Sequence, residues 1–510
     1  MNKPALLPLV SIGELDDQER RRLFRRNAVY VLIGALAFAV IYSLLSWLKY
    51  RAYMDARFDL GNMVQAVYST AHGDFLQITT GDIEPRQMSR LGAHVDPILA
   101  LFALPWLVWP SPVMLLVGQA IVVATGAWPA YRLGARVTRD PRAGALLAGA
   151  FLLYPALGFL VLNEFHPAAL ATPLLLWAFL YLEEERWVRA AVFLVLAAIC
   201  KEDVPFVIAL MGVYFAIRKR SAWPLVITVA AAAYFALAFW VIIPHYSGGQ
   251  SAFVARYGTY GGSGGEVVKH ALTNPGQVLS DVLSASNLRY WLALLWPFGF
   301  VSLLSPLTLL ISAPELLLNA LSSVGFQRRI EFHYTAMEIP FVYAALVLGL
   351  MRLWRWLGGG CRRAEAAMTG QRLPRETLAL FVLAVALGAN FVLGPLPFSL
   401  PGAAYDGRAY ARTSHDAVLD QAVRLIPEDA VVSVNNNVGA QLSARPVVYV
   451  FPYFATADYV IVDERHPFFY DREDTRLHQL ALGRLVMDPR FQSIFAKDGV
   501  YVFKRVTPPS

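Results

Sequence analysis

Five short polar segments interrupt an otherwise apolar sequence, and they hold most of the groups that could do chemistry. Phe58-Asp59-Leu60-Gly61 comes first, with Asp55 just before it. His94-Val95-Asp96-Pro97, Asn163-Glu164-Phe165-His166-Pro167, Lys201-Glu202-Asp203 and Arg328-Arg329-Ile330-Glu331-Phe332-His333-Tyr334 follow. Carboxylates such as Asp59 and Glu164 can take a proton, and imidazoles can take or relay one. Lys201, Arg328 and Arg329 can neutralise a phosphate or another anion. His94, Asp96, His166, Glu202, Asp203, Glu331 and His333 are the substrate-binding candidates around them. The set His94, Asp96, Glu164, His166 and His333 also offers mixed nitrogen and oxygen ligands of a kind that could hold Mn²⁺, Mg²⁺ or Zn²⁺. His94/Asp96 and Glu164/His166 are i,i+2 pairs in expected loops, without the fixed spacing of a known metal site, so the pattern requires no cofactor.

Each segment alone has a plainer reading. Asp59 could cap a helix, and Asp96-Pro97 fits a simple helix start. Lys201-Glu202-Asp203 reads as a self-neutralising loop, and Arg328 and Arg329 could snorkel to lipid head groups. Their joint placement is what carries weight, and it depends on the elements between them.

Those elements are membrane spans. The chain has 510 residues, of which 57% are hydrophobic and 16% charged. Its mean hydropathy of +0.47 is too high for a soluble protein of this length. Continuous apolar runs of roughly 17–25 residues recur from Val29 to Pro397, which suits helices and not a β-barrel. Eleven spans are expected near 28–48, 113–136, 143–162, 167–183, 187–201, 203–217, 222–243, 289–304, 306–323, 334–353 and 377–396. The short stretch 97–109, interrupted by Pro105, reads as a juxtamembrane helix. Arg20, Arg21, Arg22, Arg25 and Arg26 put the N-terminus (1–27) in the cytoplasm. The clusters Arg132–Arg142, Arg186/Arg189, Arg218–Arg220 and Arg352/Arg355/Arg362/Arg363 then fall on the same side. All five polar segments fall on the opposite, outer face, where ionisable groups at membrane depth tend to be paired and functional. The first outer loop, 49–112, carries Lys49, Arg51, Arg57, Arg86 and Arg90 against the positive-inside rule. Either the rule fails there or those cations meet an anionic substrate.

The membrane domain is expected to end near residue 400. The tail, 401–510, then reads as a small extracytoplasmic α/β domain. Its helices are expected at Ser414–Leu425 and Arg476–Val486, and its strands at Ala430–Val434, Val447–Phe451 and Tyr459–Val462. A hairpin is expected around Lys497-Asp498-Gly499, and Gly258–Gly265 reads as a flexible outer loop. Asn435-Asn436-Asn437 with Asp463 is the place to look for acceptor binding, unless Asn435–Gly439 merely turns the chain. With only Cys200 and Cys361, no disulfide framework or cysteine metal site arises. The net charge of +7 points to orientation and anionic lipid, not to nucleic acid.

The constellation resembles the uncharacterised membrane-protein family DUF2079 and, more loosely, the C superfamily of integral-membrane glycosyltransferases. The matching pieces are Phe58-Asp59-Leu60-Gly61 with Gln65 and His72-Gly73, His94 with Pro97, Asn163–Pro167, Lys201–Asp203 and Glu331–Tyr334. The resemblance implies a mainly helical polytopic bundle whose enzyme moves a sugar from a polyprenyl-phosphate carrier to an acceptor on the outer face. It implies Asp59 as the base or orienter, although Leu60 stands where the superfamily often has a second acid. It also puts Glu164 where a second acidic or basic outer-loop residue is common. In an inverting transfer Asp59 would take the acceptor proton while Lys201, Arg328 or Arg329 meets the departing phosphate. The membrane lipid, the lipid-linked donor and an acceptor are the partners implied. The alternative is a lipid or solute transporter, for which Pro314-Glu315 in mid-span is the one suggestive feature.

Overall fold

The computed structural model describes residues 17–80, 85–249, 252–359, 374–400, 406–465 and 475–507. Residues 1–16, Cys361, Arg362, Arg363 and the start of the tail at 401–405 lie outside the described residues. The chain is mainly helical, with a two-stranded hairpin, β1 (Gln77–Thr79) and β2 (Gln87–Ser89), after the first long helix and a five-stranded sheet near the C-terminus.

Among the described residues five helices are long and apolar enough to cross a membrane: Arg21–Arg51, Pro112–Thr138, Leu225–Ser247, Ile339–Leu357 and Arg375–Leu393. Pro141–Leu152 and Pro155–Leu162 make a sixth if they are one span, bent by 46°. The bend has a local cause. Pro155 disfavours helical backbone at Tyr154, whose ψ is 120°. Proline punctuates the bundle throughout. Pro112, Pro141 and Pro167 each open a helix, and the side chains of Ser111 and Asp140 cap two of these starts. The expected spans at 167–183, 187–201 and 203–217 appear as the shorter helices Pro167–Glu183, Trp187–Ala198 and Val204–Lys219. Those at 289–304 and 306–323 are broken into short α and 3₁₀ turns around Pro297, Pro306 and Pro314. The expected juxtamembrane helix is a 3₁₀ stretch, Pro97–Phe102, running into Ala103–Trp106.

The helix Pro167–Glu183 sits at the centre of the bundle, with Phe179 fully buried among Tyr214, Phe215 and Phe341. Arg21–Arg51 lies at the rim, and its Val29, Tyr30, Ile33, Leu36 and Val40 are exposed. Such an apolar stripe on a long helix suits lipid better than water.

Two features depart from the expected loops. The stretch Gly258–Gly265 ends inside a helix, Gly264–Thr273, whose start is capped by the Ser263 side chain. A second short helix, Pro275–Val282, follows it.

The tail is an α/β unit. Strands β3 (Val432–Val434), β4 (Val448–Val450), β5 (Tyr459–Asp463), β6 (Phe491–Lys497) and β7 (Val500–Arg505) form a sheet in the order β4-β3-β5-β7-β6. The first three are mutually parallel, and β7 pairs antiparallel with β5 and β6. Helices Ser414–Val423 and Thr475–Met487 match the expected pair. Asp498 and Gly499 close the β6–β7 hairpin with φ of 51° and 76°, the positive values a two-residue turn requires. Asn435–Gly439 does more than turn the chain, since Asn436–Leu442 is a helix.

That helix packs on the segment that follows the first long helix. A Cβ on Gly439 would stand 2.4 Å from Cβ of Arg57, and one on Gly61 would stand 2.5 Å from Oγ of Ser443. Only glycine allows so close an approach. The interface is also polar. Tyr53 Oη donates to Asp420, Gln65 donates to the carbonyl of Pro446, and Gln441 donates to that of Tyr50.

Candidate active site

After Arg51 the chain leaves the first long helix and turns sharply, with Tyr53 at φ 56°. It then enters a wide single turn, Arg57–Gly61, that carries Asp59. A turn this short leaves its first N–H groups without internal partners. Glu164 supplies one acceptor from across the bundle. Its Oε2 accepts from the N–H of Ala56 at 3.0 Å and of Leu60 at 2.8 Å. Glu164 itself has φ 57°, a conformation that costs a non-glycine residue energy and must be held by its surroundings. Gln119 does the holding. Its amide donates to the carbonyls of Glu164 and Val161, and its oxygen accepts from the N–H of His166 at 2.8 Å.

This loop aims His166 at Asp59, with Nε2 3.5 Å from Oδ1. The other ring nitrogen, Nδ1, donates to the carbonyl of Asn163 at 2.7 Å. With Nδ1 protonated, Nε2 and the carboxylate would face each other as two acceptors unless a proton sits on one of them. Asp59 and His166 thus stand as an acid–imidazole pair at contact distance, with no hydrogen bond formed at Nε2 among the described residues. His333 stacks on His166 with ring centres 3.6 Å apart, and its Nδ1 meets Oδ1 of Asn163 at 3.0 Å. Burial first, then the nearby His166, Lys201 and Arg256, hold His333 well below the usual imidazole range, so its ring is neutral.

The two carboxyls at this centre are pushed apart. Burial works to raise the Asp59 carboxyl, but the contact with His166 and the nearby charges of Lys49 and Arg90 hold it below the ordinary value. Burial, joined by the charges of Asp59 and Asp55, raises Glu164 well above its own. Neighbouring acids driven in opposite directions are the usual signature of divided roles. Asp59 stays ionised and 41% of its side chain remains open, whereas Glu164 is buried behind it.

Asp59 opens into a cavity of about 230 Å³. His94, Asp96, His166, Lys201 and His333 also line it, so six of the sequence candidates converge there. Three cations share the lining: Arg90, Lys201 and Arg256. Arg90 pairs with Asp96 at 2.8 Å, and Lys201 pairs with Asp203. Arg256 lies 4.4 Å over the ring of Phe253 and reaches the hydroxyl of Tyr334 at 3.4 Å. Phe253 in turn stacks on His94 at 4.3 Å. The cavity thus has an ionised acid, a row of cations and an aromatic wall.

The other candidates stand elsewhere. Glu202 lies behind the lining and orients His94, bonding its Nδ1 at 2.8 Å while accepting from the N–H of Val95 at 3.0 Å. Burial opposes its ionisation, but the charge and bond of His94 hold it down to about 2. Asp203 serves Lys201, and Glu164 serves the Asp59 turn. Arg328 is not among the cavity-lining residues, and Arg329 pairs with Glu331 at 3.1 Å on the exposed surface. The residues that sequence reasoning missed are Asn62, Gln119, Phe253 and Arg256, while Tyr334 stood in a quoted segment without an assigned role. Arg90 was visible as an arginine out of place in the first outer loop.

Among the described residues no three His, Cys, Asp or Glu side chains converge as a ligand group. Of the metal candidates, His94 is held by Glu202, Asp96 by Arg90, Glu164 by backbone and His333 by Asn163, while His166 Nε2 and Asp96 Oδ1 are buried without a hydrogen-bond partner among those residues.

The family model described as a predicted membrane protein, DUF2079, matches residues 51–502. The chain belongs to the DUF2079 family. The DUF2079 match takes in the Asp59 turn, every cavity-lining segment and the terminal sheet as far as β7, so it spans the helices after Arg21–Arg51 and the tail together. No curated protein matches the chain. Among solved structures, the cryo-EM structure of the arabinofuranosyltransferase AftD from Mycobacteria is similar, at 13% identity and a TM-score of 0.44. The similarity covers 95% of this chain, which spans 40% of that one.

Proposed function

We propose that this protein is an integral-membrane glycosyltransferase that moves a sugar from a polyprenyl-phosphate donor to an acceptor on the outer face of the cytoplasmic membrane. The observation that carries the reading is the cavity in which an ionised Asp59, paired with His166, faces Arg90, Lys201 and Arg256. The motif resemblance to the C superfamily supports the same reading.

In the proposed step the acceptor hydroxyl oxygen attacks the anomeric carbon. Its proton passes to the Asp59 carboxylate, and the bond from that carbon to the phosphate oxygen breaks with its electron pair on the phosphate. A phosphate leaving group needs no separate acid, only nearby positive charge, which Lys201, Arg90 and Arg256 supply. The aromatic wall of Phe253 and Tyr334 suits the apolar face of a sugar ring. Inversion at the anomeric carbon follows from a single direct displacement.

The reading carries a topology. The N-terminus is cytoplasmic, residues 28–400 form the membrane domain, and 401–510 lie outside the inner membrane.

Transfer of radiolabelled sugar from polyprenyl-phosphate donors in membranes tests it, comparing wild type with Asp59→Asn. Loss of a positioned base lowers kcat by about 10²–10⁴-fold. Transfer that is absent from every donor, or that ignores Asp59→Asn in a folded protein, rules the reading out.

A further inference from the structure

The terminal α/β domain reaches the Asp59 turn directly. Asn436, fully buried at the start of the helix Asn436–Leu442, accepts from the N–H of Phe58 at 3.0 Å through its Oδ1. Phe58 immediately precedes Asp59, and its side chain lines the cavity.

The neighbours of Asn436 face the other way. Asn435 Oδ1 accepts from the N–H of Asp463 at 2.8 Å, and Asn437 Nδ2 donates to Oδ2 of Asp463 at 2.9 Å. Asp463 is the last residue of β5, in the middle of the sheet. It clamps both flanking asparagines, which leaves Asn436 directed at the loop. Gly439 lies three residues further on and lets the helix press against Arg57. Arg57 is itself buried, bonded to Gln65 and to the carbonyls of Thr79 and Val448.

Three N–H groups of the segment 56–60 are therefore held by side chains from two separate parts of the chain. Glu164 of the helical bundle holds Ala56 and Leu60, and Asn436 of the terminal domain holds Phe58. A turn this short has little stability of its own, so its shape depends on those acceptors. Undocking the terminal domain would free the turn on one side.

We infer that Asn436 is a positioning residue for Asp59, so that the terminal domain completes the active site and is more than an acceptor-binding appendage. The inference rests on the transferase reading for its kinetic consequence, but its structural consequence stands apart. The full-length protein, as wild type, Asn436→Ala and Asn436→Asp, is followed by amide hydrogen exchange over residues 54–62 and by the pH profile of sugar transfer. Losing one buried hydrogen bond speeds exchange at Phe58 by about tenfold in Asn436→Ala and lowers kcat by a similar factor, with donor KM within roughly twofold. Asn436→Asp keeps the acceptor and so keeps wild-type exchange. Its added carboxylate close to Asp59 moves the ascending limb of the pH profile upward.

Wild-type exchange and wild-type kcat in Asn436→Ala would overturn the inference. If Asn436→Ala does not fold, an unmoved pH limb in Asn436→Asp overturns it. Exchange that responds as expected in a protein that transfers no sugar supports the positioning contact and removes the transferase reading instead.

Discussion

Glu164→Gln and Glu164→Ala should behave very differently, because the structure gives this acid a positioning place and not a chemical one. Its Oε2 accepts two buried backbone N–H groups, at 3.0 and 2.8 Å, and its carboxyl is raised well above the ordinary value by burial and by Asp59 and Asp55. Alanine leaves both donors without a partner. Each unsatisfied donor costs about 1–3 kcal/mol, and partial relaxation of the turn favours the lower end, about 2–3 kcal/mol for the two. At 1.4 kcal/mol per factor of ten, kcat should fall roughly 30- to 150-fold if the productive turn must be re-formed from a relaxed one. Glutamine has the shape of the protonated acid, and its carbonyl oxygen can accept the same two bonds. Activity should then stay within about threefold of wild type, the scale of a small change in one neutral hydrogen bond. The assay is transfer of labelled sugar by purified protein in nanodiscs, read beside thermal unfolding across pH. A carboxyl whose folded value is raised contributes stability that is complete below its unfolded value, about pH 4.3, and is lost as pH rises through the folded one. Wild type should show that slope and Glu164→Gln should lack it. If Glu164→Gln is as inactive as Glu164→Ala while folded, an ionisable carboxylate is needed there and the positioning argument fails.

Three other perturbations test neighbouring parts of the argument. His166→Gln removes the charge 3.5 Å from Asp59, so the carboxylate protonates at higher pH and the ascending limb of the pH–rate profile moves up. An unmoved limb would show that His166 does not hold Asp59 below its ordinary value. Arg256→Ala should raise the KM for a phosphate-linked donor about tenfold with little change in kcat, as loss of one charge-assisted contact to phosphate implies, and an unchanged KM would take Arg256 out of donor binding. Gly439→Ala puts a methyl 2.4 Å from Cβ of Arg57, which forces the two domains apart. Overpacking of this kind costs about 1–3 kcal/mol, visible as a lower unfolding temperature, and a wild-type value would mean the interface is looser than the structure has it.

Much of the architecture can be read from local pattern. Apolar runs of spanning length, proline at helix starts and turn residues such as Asp498-Gly499 act through neighbours in sequence, so the helical bundle, both expected tail helices and the three expected strands of the tail were legible. Pro297, Pro306 and Pro314 mark where the helices at 289–323 break but not the packing of the pieces, because proline says where a helix stops and not how the remainder packs. The cavity was half legible. Asp59, His94, Asp96, His166, Lys201 and His333 stand out as ionisable groups between apolar runs, and charge at membrane depth is rarely idle. Arg256 and Phe253 did not stand out, because they sit near a glycine-rich stretch that looks like a plain loop until it folds over His94. The division between Asp59 and Glu164 could not be read at all. Both are acids beside apolar segments, and what separates them is the partner each meets across more than a hundred residues: a histidine ring for one and two backbone N–H groups for the other. The sequence determines which residues arrive at the ends of the helices; the tertiary structure alone decides which of them meets solvent, which meets charge and which is buried, and those surroundings set what each group can do.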